Sequence, residues 1–229
     1  MLKIGPILLA VIYGLGMYVF SAWRLKSELN QNSQPLDDPI LLSLTQQMAD
    51  SIDLPEIKVH VYNVEPVNGL AAPDGRIFIT RGFLNKYRKG QVTGPELAGV
   101  IAHELGHVAL GHARRRMVDF SLQNAMRVGV AMVLNRFLPG IGVIVANFLS
   151  GLFVAGLSRK DEYEADAYAA ALLTKAGIGT EPQKSLFNKL DQVIGQRGAQ
   201  PAWLMSHPKT EDRVKAIEAL EAKWKTALT

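Results

Sequence analysis

The chain of 229 residues contains no cysteine. This absence excludes disulfide bonds, thiolate metal ligands and lipidated cysteines, although it does not fix a cellular compartment. The net charge of +4 is small, and the densest basic run, Arg114 to Arg116, has no aromatic residues interleaved with it. The run follows a predicted helix, where cations suit the helix dipole, and contact with anionic lipid is the alternative. We therefore expect no nucleic-acid partner.

Charged residues are also absent from Ile4 to Trp23. As a helix this segment would be about 30 Å long, which is enough to span a bilayer. A cleaved signal peptide is the rival interpretation. The apolar run is long for a signal peptide, and cleavage near Ala22 would require a small residue at position 20, where the chain has Phe20. We therefore expect a retained anchor, and the predicted organisation has three parts: a transmembrane anchor (1–26), a polar linker (27–36) and a folded domain (37–229).

Histidine is scarce, with five residues in the chain, and two of them stand in the pattern H-E-x-x-H at His103 to His107. Two histidines four positions apart lie on one face of a helix, so both imidazoles can reach one metal ion. Glu104 is turned about 100° away from His103, where it can take a proton from metal-bound water. The pattern predicts a helix that binds one zinc ion per chain.

A catalytic zinc ion takes a third protein ligand and keeps one position open. Glu162 and Asp166 are four residues apart and share a helix face. Glu162 can therefore ligate the metal, while Asp166 accepts the free N–H of a ligating histidine. Glu164 is the competing ligand, but it points to the opposite side of that helix. We predict Glu162 as the third ligand.

Four segments together resemble the HtpX-like and CAAX-prenyl-protease-type membrane metallopeptidases, which are anchored gluzincins. They follow the order of that family and cover roughly residues 38 to 220. The first, 68–82, looks like the family's N-A-x-A-x-P-x-G-x-I-x-x-T-x-G stretch, with Gly69 where the family usually has alanine. The other three are H-E-L-G-H, then S-R-x-x-E-x-E-A-D from Ser158, then S-H-P from Ser206 followed by Arg213.

The resemblance implies a role for each matching residue. His103, His107 and Glu162 would bind zinc, and Glu104 would be the general base. His207 would stabilise the oxyanion of the tetrahedral intermediate, and Arg213 would help fix the loop that carries it. The edge strand that pairs with an extended substrate would consist of Asn68, Gly69, Leu70, Ala71 and Ala72.

The fold class predicted from these patterns is α+β and mostly α, a zincin-like domain with a small antiparallel sheet. Ile57 to Val61 alternate as one strand and Ile77 to Ile79 form another. His60 falls in the first strand and receives no functional role. His112 stands five residues after His107, so we expect it to lie off the ligand face.

The segment 117–157 is predicted to be an apolar helical hairpin. His107 and Glu162 must meet at one zinc ion, so the chain between them crosses a bilayer an even number of times. Two crossings would place Asp119 and Arg127 inside the bilayer at a cost of a few kcal/mol each. We therefore expect the hairpin to pack on the domain or to lie at the membrane surface.

These inferences predict a membrane-anchored zinc endopeptidase of the bacterial inner membrane, with its catalytic domain in the periplasm. The partners expected from the resemblance are the lipid bilayer and extended or misfolded membrane and envelope proteins, hydrolysed in protein quality control. Two other classes stay open. One is a zinc-bound but proteolytically latent chaperone or assembly factor, and the other is a lipid-surface structural protein with a chance motif.

Overall fold

The computed structural model describes residues 4–72, 74–112, 115, 142–194 and 210–227. Within these ranges the chain is mostly helical and carries one four-stranded sheet. This architecture agrees with an α+β domain. In chain order the elements are α1 (Ile4–Gln31), β1 (Ser33–Pro35), α2 (Pro39–Ser51), β2 (Val59–Tyr62), β3 (Gly69–Ala71), β4 (Ile77–Thr80), α3 (Arg81–Arg88), α4 (Gly94–Ala109), α5 (Gly142–Lys175), α6 (Glu181–Ile194) and α7 (Thr210–Ala227).

The sheet is mixed, which corrects the prediction of an antiparallel sheet. Its strand order is β1-β2-β4-β3, and β2 and β4 run parallel, with Val59 beside Ile77 and Tyr62 beside Thr80. The reason lies in the hairpin formed by β3 and β4. Every residue of β4 is buried, whereas β3 is half-buried at two of its three positions. The more apolar second strand of the hairpin therefore takes the centre beside β2, and β3 takes the edge.

Helix α4 forms the centre of the domain and contacts α2, α5, α6 and the sheet. It begins at a capping box, because the Thr93 hydroxyl accepts from the Glu96 amide and Glu96 Oε2 accepts from the Thr93 amide at 2.8 Å. Every residue from Glu96 to His107 is buried. The core around it includes Leu41, Met48, Ile77, Ile79, Leu97, Ile101 and Leu173, all fully buried.

The start of α4 is also joined to α6. Lys189 Nζ lies 2.6 Å from Glu96 Oε2, and Ser185 Oγ donates to Glu96 Oε1 at 2.7 Å. Burial alone would raise the pKa of Glu96, but the bonds from Lys189, Thr93 and Ser185 outweigh it and lower that pKa. A capping residue therefore also holds a neighbouring helix in place.

The structure describes the whole of the predicted linker and part of the predicted hairpin. Residues 27–36, predicted to be a linker, form the end of α1 and strand β1, where Leu29 and Leu36 are buried. The second arm of the predicted hairpin is helical from Gly142 and continues without interruption into the rest of α5. The first arm, with Asp119 and Arg127, lies outside the described residues. Across the described ranges, no helix combines the length and apolarity required to cross a bilayer.

Helices α4 and α5 approach each other closely at Gly106. A Cβ atom built on Gly106 would lie 3.0 Å from the carbonyl oxygen of Ala165 and 3.1 Å from its Cα. Both neighbours belong to backbone and cannot move aside as a flexible side chain can. The glycine between the two histidines of the motif therefore lets α5 come near enough to share a site with α4.

We predict that Gly106→Ala destabilises the protein, because the added methyl group overlaps the backbone of α5. Overpacking of this kind costs about 1–3 kcal/mol. Gly99→Ala on the same helix is the matched control, since its Cβ would lie 3.5 Å from Gln183 Cα, an ordinary contact. That change should be neutral or add about 0.5–1 kcal/mol through helix propensity. Urea unfolding of both variants measures the difference. Equal stability would show that the α4–α5 approach does not depend on Gly106.

Candidate metal centre

Helices α4 and α5 bring His103, His107 and Glu162 together. Nε2 of His103 lies 3.1 Å from Nε2 of His107. Glu162 faces both rings, with Oε2 at 3.3 Å from His103 Nε2 and Oε1 at 3.5 Å from His107 Nε2. All three residues are buried, and they form a cluster able to hold a metal ion.

These separations fit a tetrahedral metal site. In a tetrahedral site, bonds of about 2.0–2.2 Å from zinc to nitrogen or oxygen place neighbouring ligand atoms about 3.3–3.6 Å apart. Two of the three distances, 3.3 and 3.5 Å, lie within this range, and the third, 3.1 Å, lies just below it, so one cation between the side chains could bind all three donors at once. The donor set of two imidazoles and one carboxylate is one that catalytic zinc sites use.

Asp166 contacts His103 on the side of the ring away from Glu162. Its Oδ1 lies 2.9 Å from His103 Nδ1, and a carboxylate can only accept, so Nδ1 carries the proton. Burial opposes a charge on His103, but the hydrogen bonds with Asp166 and Glu162 outweigh it and raise the pKa of His103 to about 9. A metal ion must therefore displace a proton from Nε2 when it binds.

Arg213, from α7, fixes Asp166. Its Nε donates to Oδ2 at 2.6 Å and its second terminal nitrogen to Oδ1 at 2.7 Å. The guanidinium also stacks over the Phe187 ring at 4.3 Å and is fully buried. Burial alone would raise the pKa of Asp166, but Arg213 and the bond from His103 lower it. Arg213 thus binds Asp166 through two hydrogen bonds. The resemblance implies a link between Arg213 and the loop of His207, which lies outside the described residues.

Glu104 is buried on α4, next to His103 in sequence. Burial alone would lower the pKa of Arg213, but the carboxylates of Asp166, Glu162 and Glu104 outweigh it and raise that pKa. Glu104 therefore belongs to the same electrostatic cluster as the two carboxylates of α5.

His112 belongs to this cluster too, although its spacing from His107 gave it no predicted role. It is fully buried, and its Nδ1 lies 2.8 Å from Nδ1 of His107, on the side of that ring away from Glu162. Helix α4 ends at Ala109, and Gly111 then adopts a φ of +66°, a left-handed conformation that changes the direction of the chain after the helix. The glycine was the available signal, because it shows that His112 does not continue the spiral of α4.

The predicted substrate strand lies at the edge of the sheet. Residues Gly69–Ala71 form β3, the last strand in the order, and it packs against α4. Thr80 holds the start of the strand, since its hydroxyl accepts from the Asn68 amide at 3.0 Å. One side of β3 has no partner strand within the part of the chain that the structure describes.

Comparison with known proteins decides the family. The sequence profile of peptidase family M48 matches residues 35–221. The chain belongs to peptidase family M48. This M48 peptidase is 28% identical to Metalloprotease LoiP of Escherichia coli (strain K12) over 184 residues, which cover 77% of this chain and 68% of LoiP. Metalloprotease YcaL of the same strain is 29% identical over 183 residues, with 77% of this chain and 67% of YcaL covered.

A Protease HtpX homolog of Variovorax paradoxus (strain S110) is 24% identical over 249 residues, covering 91% of this M48 chain and 84% of the homolog. The HtpX-like resemblance inferred from the four segments is therefore confirmed. The chain is a metalloendopeptidase, so the prediction of an enzyme is also confirmed, and the interpretation as a structural protein with a chance motif is wrong.

We predict that Glu162→Ala removes most of the bound metal, because the site drops from three protein ligands to two. Glu164→Ala on the same helix removes no predicted ligand, so after loading with saturating zinc it should keep close to one metal ion per chain. Elemental analysis of the purified variants decides between them. The reverse pattern would show that Glu164 is the ligand.

Proposed function

We propose that this chain is a membrane-anchored zinc endopeptidase that hydrolyses extended or misfolded membrane and envelope proteins. The observation that carries the proposal is the set of separations, 3.1, 3.3 and 3.5 Å, between the facing atoms of His103, His107 and Glu162. They match a tetrahedral zinc ion that keeps one position open for water and substrate.

In the proposed mechanism, His103, His107 and Glu162 hold the zinc ion. When bound, the ion activates a water molecule and polarises the scissile carbonyl group. Glu104 takes the proton from that water and then delivers it to the leaving amine. Asp166, itself held by Arg213, keeps the proton of His103 on Nδ1 and so leaves Nε2 free to ligate.

His207 completes the proposed machinery as the donor to the oxyanion of the tetrahedral intermediate. A donor aimed at the developing charge typically contributes a hundredfold or more in rate. This assignment rests on the S-H-P segment and its resemblance to the family pattern.

The substrate class follows from the position of β3. An extended polypeptide can add to a free sheet edge through main-chain hydrogen bonds, and the side chains need not be of a particular kind. The segment Asn68 to Ala72 lies at such an edge and packs against the helix of the two histidines. We propose that it aligns unfolded segments of membrane and envelope proteins for cleavage.

The anchor is supported by the side chains of α1. Its described apolar residues are open to solvent, with Leu15 exposed by 59%, Val19 by 62% and Trp23 by 64%. At the other end of the helix Leu29 is buried and joins the sheet. An apolar surface of this kind is covered by lipid or by protein. We propose that residues 1–26 insert in the bacterial inner membrane and that the catalytic domain lies in the periplasm.

We predict that Glu104→Gln and His207→Phe keep the metal but lose most turnover of unfolded casein, since neither residue is a ligand. A decrease of a hundredfold or more is expected. Glu56→Gln, which changes an exposed glutamate on the surface, is the control and should cleave casein at the normal rate. An inactive wild-type chain with full zinc would favour the latent chaperone. Loss of metal in His207→Phe would make His207 a ligand.

We predict that the full chain stays with membranes after a carbonate wash and that a chain without residues 1–23 is released, still folded and zinc-loaded. The anchor then accounts for all of the bilayer insertion, and the hairpin 117–157 only packs on the domain or touches the surface. Membrane fractionation measures both proteins. Release of the full chain would contradict the anchor, and retention of the shortened chain would mean that the hairpin crosses the bilayer.

A further inference from the structure

We propose that His112 is a positioning residue that sets the tautomer of His107 and so prepares its Nε2 to bind the metal. The inference rests on the proposed ligand set of His103, His107 and Glu162. It extends that set by a series of hydrogen-bonded groups that runs from the buried His107 through the buried His112 to the half-buried Glu164.

The geometry of the two rings carries the inference. Their Nδ1 atoms are 2.8 Å apart, and the ring planes meet at 68° with centroids 5.0 Å apart. An edge-on approach of this kind directs one ring nitrogen at the other. Both side chains are almost completely buried, so water does not compete for the hydrogen bond.

The position of each proton follows from Glu164, the last group in this series of hydrogen bonds. Nε2 of His112 lies 3.1 Å from Oε2 of Glu164, and a carboxylate can only accept. Nε2 of His112 therefore carries its proton, and in the neutral ring Nδ1 is an acceptor. Nδ1 of His107 must then be the donor, because only one proton fits between the two Nδ1 atoms. His107 thus turns an unprotonated Nε2 towards His103 and Glu162.

The two proposed ligand histidines are oriented in different ways. Asp166 accepts the Nδ1 proton of His103 directly. For His107 the acceptor is the imidazole of His112, and the carboxylate of Glu164 in turn accepts from the other nitrogen of His112. Orienting partners of this kind fix the ring and raise the basicity of the ligating nitrogen.

Glu164 is itself held in place. A terminal nitrogen of Arg115 lies 3.3 Å from Glu164 Oε2 and 3.3 Å from Asp161 Oδ1, and Lys160 approaches the other oxygen of Glu164 at 3.5 Å. His112, Asp161 and Glu164 could also form a cation site, but the Arg115 guanidinium already contacts both carboxylates and, together with Lys160, balances their charge. We therefore assign this cluster to orientation and not to a second metal ion.

The two glutamates of the S-R-x-x-E-x-E-A-D segment therefore have separate roles. Glu162 faces the metal position, and Glu164, two residues on, faces His112 on the adjoining side of α5. One helix supplies both a proposed ligand and the group that orients another ligand.

The experiment compares three variants by their zinc dissociation constants, measured in competition with a chelating dye. His112→Phe keeps the ring shape but removes the acceptor, and it should weaken zinc binding about 10–100-fold. His112→Asn places an amide oxygen near the position of Nδ1, so it should recover most of that loss. His60→Phe, in β2 beside Phe78 and far along the chain from the motif, is the control and should bind zinc like the wild type.

A purely structural role for His112 predicts a different result. The zinc affinity would then follow the thermal stability of the metal-free variants, with no advantage for asparagine. The visible absorption of the cobalt(II) form gives a second readout, which should change in His112→Phe and return towards the wild type in His112→Asn. If His112→Phe does not fold, His112→Gln replaces it, since its amide reaches the position of Nε2 and leaves that of Nδ1 without an acceptor.

Three results would overturn the inference. They are wild-type zinc affinity in His112→Phe, equal losses in the phenylalanine and asparagine variants, and a second bound zinc ion that disappears in Glu164→Ala. The variant Glu162→Ala distinguishes a wrong role for His112 from a wrong set of metal ligands. If Glu162→Ala loses zinc while His112→Phe keeps it, only the role of His112 is wrong, and if both keep it the ligand set itself is wrong.

Discussion

The structure of this M48 peptidase depends on the balance of charge inside one buried cluster. Glu104, Glu162, Asp166, Arg213 and His103 are each at most 2% exposed. Burying an ion without a partner costs several kcal/mol, so such a cluster is stable only when its charges offset one another. Three carboxylates carry a formal charge of −3, which Arg213 and a divalent metal ion together would neutralise. Without the metal, a proton on His103 supplies part of that compensation, in agreement with its raised pKa.

This requirement explains why three helices meet at one point. Helix α4 contributes the two histidines and Glu104, α5 contributes Glu162 and Asp166, and α7 contributes Arg213. Removing the guanidinium would leave Asp166 buried without its main partner, so α7 is held to the site by electrostatics as well as by apolar packing. The small residues at Gly106 and Ala165 complete the arrangement, because they allow α4 and α5 to approach closely. Packing and charge therefore both determine the position of Glu162.

The same elements show where prediction from sequence ends. The capping box at Thr93 and Glu96 and the helix of the H-E-x-x-H motif follow from local spacing. The direction of β4 relative to β2 does not, because it depends on which strand of the hairpin takes the buried centre of the sheet. The pairing of Arg213 with Asp166 could not be predicted from local spacing either, since Asp166 lies 47 positions earlier in the chain and on another helix.

The sequence by itself determined the family, the metallopeptidase chemistry and the helix faces that carry His103, His107, Glu162 and Asp166. The physical reason is that these relations repeat every turn of a helix and need no knowledge of distant contacts. Only the tertiary structure decided that His112 lies behind His107 and that Glu164 faces His112. That arrangement requires the turn at Gly111 and the packing of α5 against α4. The glycine marks the turn locally, but the contact between the two helices joins residues far apart in sequence, which no local pattern specifies.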